Sequence, residues 1–136
     1  MKILLLTIIT IVVYDASCIS QCANQDFYFT RQSQIDSFPI VHPGCDSVLS
    51  LTISGPDIIN LGSLSSLKYV TDNFRIADNP LLEDLQGLDN VEHGGSFLEI
   101  EYNVSLRSLN GLSSLKSVFG FVDIVYNPRL RSESVV

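Results

Sequence analysis

The strongest constraint on this chain is a frame of apolar residues that restates itself every 24 positions. Leu106, Leu109, Leu112, Leu115 and Val118 fall at every third residue, Val122 and Ile124 then alternate, and Asn127 follows. The same frame shifted by 24 gives Leu82, Leu85, Leu88, Val91, Gly94, Leu98, Ile100 and Asn103. Shifted again it gives Ile58, Leu61, Leu64, Leu67, Val70, Phe74, Ile76 and Asn79. Two stretches are nearly verbatim, Leu61-Gly-Ser-Leu-Ser-Ser-Leu-Lys and Leu109-Asn-Gly-Leu-Ser-Ser-Leu-Lys. A fixed period in this range marks a repeat architecture, in which one unit cannot bury its apolar edge alone.

Apolar residues at every third position fit neither a helix stripe nor a strand face. They suit a chain that turns continually and drops one side chain inward per short segment. Only the end of each unit alternates with period two, as in Phe97-Leu-Glu-Ile-Glu-Tyr and Phe121-Val-Asp-Ile-Val-Tyr, and these read as strands. One parallel strand per unit predicts a mainly β chain, a parallel β-solenoid of 24-residue, leucine-rich-repeat-like coils. Phe74, Leu98 and Val122 form one inward column, Ile76, Ile100 and Ile124 the next. Arg75, Glu99 and Asp123 form the outward one. Asn79, Asn103 and Asn127 stand where the chain must turn, and their amides suit a structural ladder between coils. Pro80 and Pro128 follow two of them; Gly94, Gly95 and Gly120 mark the opposite corner.

The amino terminus carries Lys2, an apolar run from Ile3 to Tyr14, and then small residues. The run is shorter than the roughly 20 residues a membrane span requires, and the pattern is that of a secretory signal peptide over residues 1–20, cleaved before Gln21. A lipid anchor on Cys18 is the alternative, disfavoured by Asp15. Residues 21–48 read as a small cap and 49–136 as the repeat region, truncated at its carboxy-terminal end. Within the cap, Phe27 to Thr30 reads as a strand. Ser33 to Phe38 reads as one or two helical turns capped at Ser33, with Asp36 three residues on. His42-Pro-Gly-Cys reads as a turn, and Leu49, Leu51 and Ile53 as the first strand of the stack. Loss of Cys18 leaves Cys22 and Cys45, an even pair that suits a disulfide in an oxidising compartment; a metal site or a reactive thiol is the competing reading. At the far end the frame demands an apolar residue at 133, where Glu133 stands before Val135 and Val136. This end predicts further coils, a folded-back tail or a partner over the last edge.

Leu85-Gln-Gly-Leu-Asp-Asn-Val, Leu98-Glu-Ile, Tyr102-Asn and the stretch from Leu109 to Pro128 resemble the receptor L-domain, the leucine-rich β-solenoid of insulin and epidermal growth factor receptor ectodomains. The entry segment, with Phe29 to Pro39, His42-Pro-Gly-Cys and Leu51-Thr-Ile-Ser-Gly-Pro-Asp-Ile, is similar to secreted bacterial members of that repeat family. The resemblance spans about residues 22 to 130. It implies a right-handed solenoid with one strand per turn, on a secreted, extracellular or cell-surface protein that recognises a protein or glycan ligand.

The chain has a net charge of −7, which argues against nucleic acid and anionic membrane surfaces as partners. After leader removal no membrane insertion is expected. No nucleophile elbow, phosphate loop or metal-ligand spacing occurs, so neither an enzyme nor a cofactor is expected. Glu99, Glu101 and Asp123 form an acidic outward patch, for which a glycosidase pair or a calcium site is the sharp reading and a solvated strand face the plain one. Glu83, Asp84, Asp89 and Glu92 read as coil surface. His42 and His93 read as surface histidines, and Tyr102 and Tyr126 as a structural stack at the strand end, with a sugar or peptide platform as the alternative reading. Asn103-Val-Ser105 matches a glycosylation sequon, but an amide occupied in a ladder is unavailable to it. The expected binding face comprises Arg75, Glu99, Glu101, Asp123 and Val125. The alternative is a structural segment of a larger surface protein without a ligand of its own.

Overall fold

The computed structural model describes residues 22–131. The leader expected over residues 1–20 and the tail residues Glu133, Val135 and Val136 lie outside them. Over the described residues the fold is mainly β, with parallel sheets and one short α-helix. Strand β1 (Asp26–Phe29) leads into helix α1 (Gln32–Val41), then β2 (Ser47–Val48) and β3 (Ser50–Ile53). The remaining strands are β4 (Tyr69–Val70), β5 (Asn73–Ala77), β6 (His93–Gly94), β7 (Phe97–Glu101) and β8 (Phe121–Val125). They form a five-stranded sheet of order β1-β3-β5-β7-β8 and a three-stranded sheet of order β2-β4-β6.

Every pairing is parallel, and the register follows the sequence frame. Phe74 pairs with Leu98 and Leu98 with Val122; Ile76 pairs with Ile100 and Ile100 with Ile124. The β1–β3 step is also 24 residues, Phe27 pairing with Leu51, but the β3–β5 step is shorter by one, since Leu51 pairs with Phe74. Gly55-Pro56 there replaces the asparagine corner of later units.

The three-residue spacing has a direct cause in the backbone. The amide of Leu64 donates to the Leu61 carbonyl, Leu67 to Leu64, Leu88 to Leu85, Val91 to Leu88, Leu112 to Leu109 and Leu115 to Leu112. Each apolar residue therefore closes one tight turn and opens the next. That linkage points one side chain in three at the core. Ile58, Leu61, Leu64, Leu67, Leu82, Leu85, Leu88 and Val91 are all buried. Leu109, Leu112, Leu115, Val118 and Ile124 are only partly so. Val122 keeps its place in the inward column but is 52 % exposed, because no further strand among the described residues lies beyond β8.

Asn79, Asn103 and Asn127 join the units at the corner. Asn103 Oδ1 accepts from both the backbone amide (3.2 Å) and the side-chain amide (2.9 Å) of Asn79. Asn127 Oδ1 does the same for Asn103, at 3.1 and 3.2 Å. The Nδ2 of Asn103 also donates to the Ile76 carbonyl at 2.9 Å, and that of Asn127 to Ile100 at 2.8 Å. At the first corner Gly55 donates its amide to Asn79 Oδ1. Glycine is required where units approach most closely. A Cβ on Gly111 would strike the Leu85 carbonyl, and one on Gly87 the Leu61 carbonyl.

The amino-terminal segment departs from the sequence expectation in three ways. Helix α1 runs to Val41 and starts after Arg31, not at Ser33. Gln34 Oε1 closes its start by accepting from the amides of Thr30 (2.7 Å) and Arg31 (3.1 Å). The helix carries Pro39 through its last turn because burial of Ile35 and Phe38 holds that turn down, with Phe38 edge-on to Phe27 and Phe29. The first long strand of the stack starts at Ser50 and excludes Leu49, whose carbonyl instead accepts from the Asp72 amide. β1 pairs with β3 and so stands in the five-stranded sheet ahead of the strand expected to begin the stack. Gly94 likewise lies within β6, not at a corner; it fills the column of Val70, and the Leu115 and Val118 side chains occupy the space a larger residue would need.

Asn103→Ala leaves the Asn79 backbone amide without its acceptor and the Ile76 carbonyl without its side-chain donor, while Asn79 Nδ2 keeps the Ile53 and Ala77 carbonyls. Each orphaned buried group costs about 1–3 kcal/mol, so urea unfolding should show a loss of about 3 kcal/mol or more. A loss within the range of an ordinary surface substitution, about 0.5 kcal/mol, would refute this role.

Candidate functional site

Alternation along the long sheet leaves one face outside. From β1 to β8 its central column reads Tyr28, Thr52, Arg75, Glu99 and Asp123, and the adjacent one Asp26, Ser50, Asn73, Phe97 and Phe121. Arg75 organises the middle. Its Nη2 lies 2.7 Å from Glu101 Oε1, its Nε 3.3 Å from Glu99 Oε2, and its Nη2 4.0 Å from Asp78 Oδ2. The hydrogen bond to Glu101 chiefly, then the charges of Glu101, Glu99 and Asp78, raise the Arg75 pKa above its ordinary value against the opposing effect of burial. Of the five residues expected to form a binding face, Arg75, Glu99 and Glu101 are thus brought into direct contact. Asp123 lies beside Glu99 and Val125 beside Glu101 in the β7–β8 register, outside the ion-pair cluster.

The larger part of this face lies in residues that the charged column does not mark. Tyr28 is 62 % and Phe121 57 % exposed, and the Phe97 ring meets Phe121 edge-on at 4.5 Å. Tyr28, Ser50, Thr52, Asn73, Phe97 and Glu99 line a groove with Arg75 across the sheet. The signal for Phe97 and Phe121 was present: they alternate with the inward Leu98 and Val122 and must point outward. No comparable signal existed for Tyr28, whose strand joins the sheet only through its pairing with β3.

The other flagged residues are structural. Cys22 and Cys45 form a disulfide, with Cα atoms 5.9 Å apart and both residues buried. His42 is half-buried, edge-on to Phe27 and beside Phe38. His93 lies between the rings of Tyr69 and Phe119 and shares a 2.6 Å hydrogen bond with Ser117 Oγ. Tyr102 and Tyr126 stack at 4.7 Å, and both, like Asp78, have positive φ, at 55° or 56°. Asn103 is fully buried with its amide occupied, and Ser105 Oγ donates to the Pro80 carbonyl. Among the described residues no group of three or more His, Cys, Asp or Glu is placed to hold a metal ion. No described helix is long and apolar enough to cross a membrane.

No protein-family model matches the chain, and no curated protein and no solved structure is similar to it.

On the opposite flank Lys116 Nζ lies 2.9 Å from Glu92 Oε2. This contact lowers the Glu92 pKa from its ordinary 4.5. A depressed folded-state pKa contributes stability above the unfolded value and loses it as pH falls through the folded one. Carboxyl titration followed by NMR should place Glu92 below 4.5, and Lys116→Met should return it toward that value. An unchanged midpoint in the variant would contradict the assignment.

Proposed function

We propose that this chain is a non-catalytic binding module of a secreted or cell-surface protein. Its architecture in this proposal is a right-handed parallel β-solenoid of the receptor L-domain type. The repeated 24-residue step of the asparagine contacts and of the later strand pairings supports that architecture. The buried disulfide supports an oxidising compartment.

The observation that carries the function is the composition of the exposed sheet face. Exposed aromatic rings at Tyr28 and Phe121 flank a fixed cluster of one arginine and two glutamates. Large rings left in water beside ordered charges are what recognition surfaces present, with the rings supplying contact area and the charges orientation. The expected partner is a protein or glycan. Glu99→Lys combined with Asp123→Lys should abolish ligand binding by secreted protein captured on its native surface, while the melting temperature shifts by no more than a few degrees. Undiminished binding would remove this face from the account.

A second reading rests on the β8 end, where Val122 and Phe121 are exposed and Leu109, Leu112 and Leu115 only partly covered. An apolar end of this kind suits a segment covered by neighbouring coils or by a partner. A monodisperse, cooperatively unfolding monomer of this chain would count against it.

A further inference from the structure

We infer that the groove on the exposed face, between Tyr28 and Phe97, binds a neutral oligosaccharide. The inference rests on the proposal that this face is a recognition surface, and gives that surface a ligand class. The deciding residue is Ser50. It lines the groove and is only 8 % exposed, yet its hydroxyl has no hydrogen-bond partner among the described residues. No fully buried side-chain oxygen or nitrogen in the described residues lacks a partner, so the small exposed part of this hydroxyl opens on the groove. In the groove this hydroxyl can exchange water for a ligand group that both donates and accepts. Thr52, two residues along the same strand and on the same face, carries a second unpartnered hydroxyl. Asn73, also in the groove lining, donates its Nδ2 to Asp72 and retains its Oδ1 as an acceptor.

Two hydroxyls, an amide oxygen and the Glu99 carboxylate match a ligand that is itself a row of hydroxyls, each able to donate and accept. The exposed Tyr28 ring offers an apolar face for the C–H side of a sugar ring, and Phe97 stands at the other end. Tyr28 on β1 and Phe97 on β7 are separated by three strand spacings, about 14 Å, which suits a short oligosaccharide better than a single ring.

Charge narrows the class. The one cation in the groove, Arg75, is already engaged by Glu101 and Glu99. Asp26 and Asp123 add negative charge in the flanking register positions. Uronic, sialylated and sulfated sugars are repelled. An extended peptide is disfavoured for a different reason: the backbone groups beneath the groove are spent in the β1-β3-β5-β7 ladder, so strand addition has no donors or acceptors here.

The test is a panel of neutral oligosaccharides (β-glucan, mannan and chitin fragments of three to six sugars), with sialyllactose, a heparin octasaccharide and octa-arginine as charged arms. Binding to the full secreted chain is read by calorimetry and tyrosine fluorescence. At least one neutral member should bind. Tyr28→Ala and Ser50→Val should each weaken it tenfold or more, Tyr28→Phe should keep most of the affinity, and Tyr102→Ala should leave it unchanged. Unaltered circular dichroism melts separate lost contacts from lost folding. The inference is overturned if no neutral member binds, or if binding survives Tyr28→Ala and Ser50→Val. It is overturned equally if binding is lost on Tyr102→Ala alone. Octa-arginine binding that is lost with Glu99→Lys and Asp123→Lys, without any sugar binding, would overturn the sugar assignment yet uphold the face as a recognition surface.

Discussion

The fold depends on how the chain satisfies its backbone at the corner after each long strand. At that point Asp78, Tyr102 and Tyr126 adopt left-handed φ, a conformation that costs a residue with a Cβ about 1–2 kcal/mol. The asparagine that follows offsets the strain. The side chains of Asn103 and Asn127 each take two donors from the asparagine before them, Asn79 takes the Gly55 amide, and all three supply a proton to a carbonyl of the preceding strand. The 24-residue step is set here, because a unit of another length would carry its asparagine out of reach of the last one. The single 23-residue step, from Leu51 to Phe74, is accommodated where a glycine amide replaces the asparagine at the corner.

With the step fixed, core and surface follow from parity. Inward positions stack on inward positions, so Phe74 meets Leu98 and Ile76 meets Ile100. Outward positions stack too, and their chemistry is the only free variable left to the sequence. There the chain places an arginine between acidic neighbours and sets rings along one side. Like charges on successive strands would repel; Arg75, held by Glu99 and Glu101, relieves that on one side, and Asp123 lies beside Glu99 on the other. The face is ordered by the same ladder that builds the core, which makes it a rigid platform and not a set of loops.

The strand registers from β5 onward, the inward columns and the contacts of Asn103 were legible because one repeating spacing encodes all of them. Less was legible where the repeat stops. Helix α1 was expected to begin at Ser33, yet Gln34 supplies the cap from three residues after Arg31. Polarity alone does not tell which of several neighbouring polar side chains turns back to the amides. Gly94 looked like a corner residue, but the column position, not the residue type, decides its place. Of the face, the charged column was visible and the groove was not. Tyr28 and Ser50 join it through the pairing of β1 with β3, a contact that no periodicity announces.

The central claim is that successive units are held to one another through their asparagine side chains. A double-mutant cycle between Asn79 and Asn103, both to Ala and both followed by equilibrium unfolding, measures that link directly. Residues that share a buried hydrogen-bond network show coupling of about 0.5–3 kcal/mol, and the ladder predicts a value in the upper half of that span. Strict additivity of the two substitutions would mean that each asparagine serves only its own corner, and the account of how the units are joined would fail.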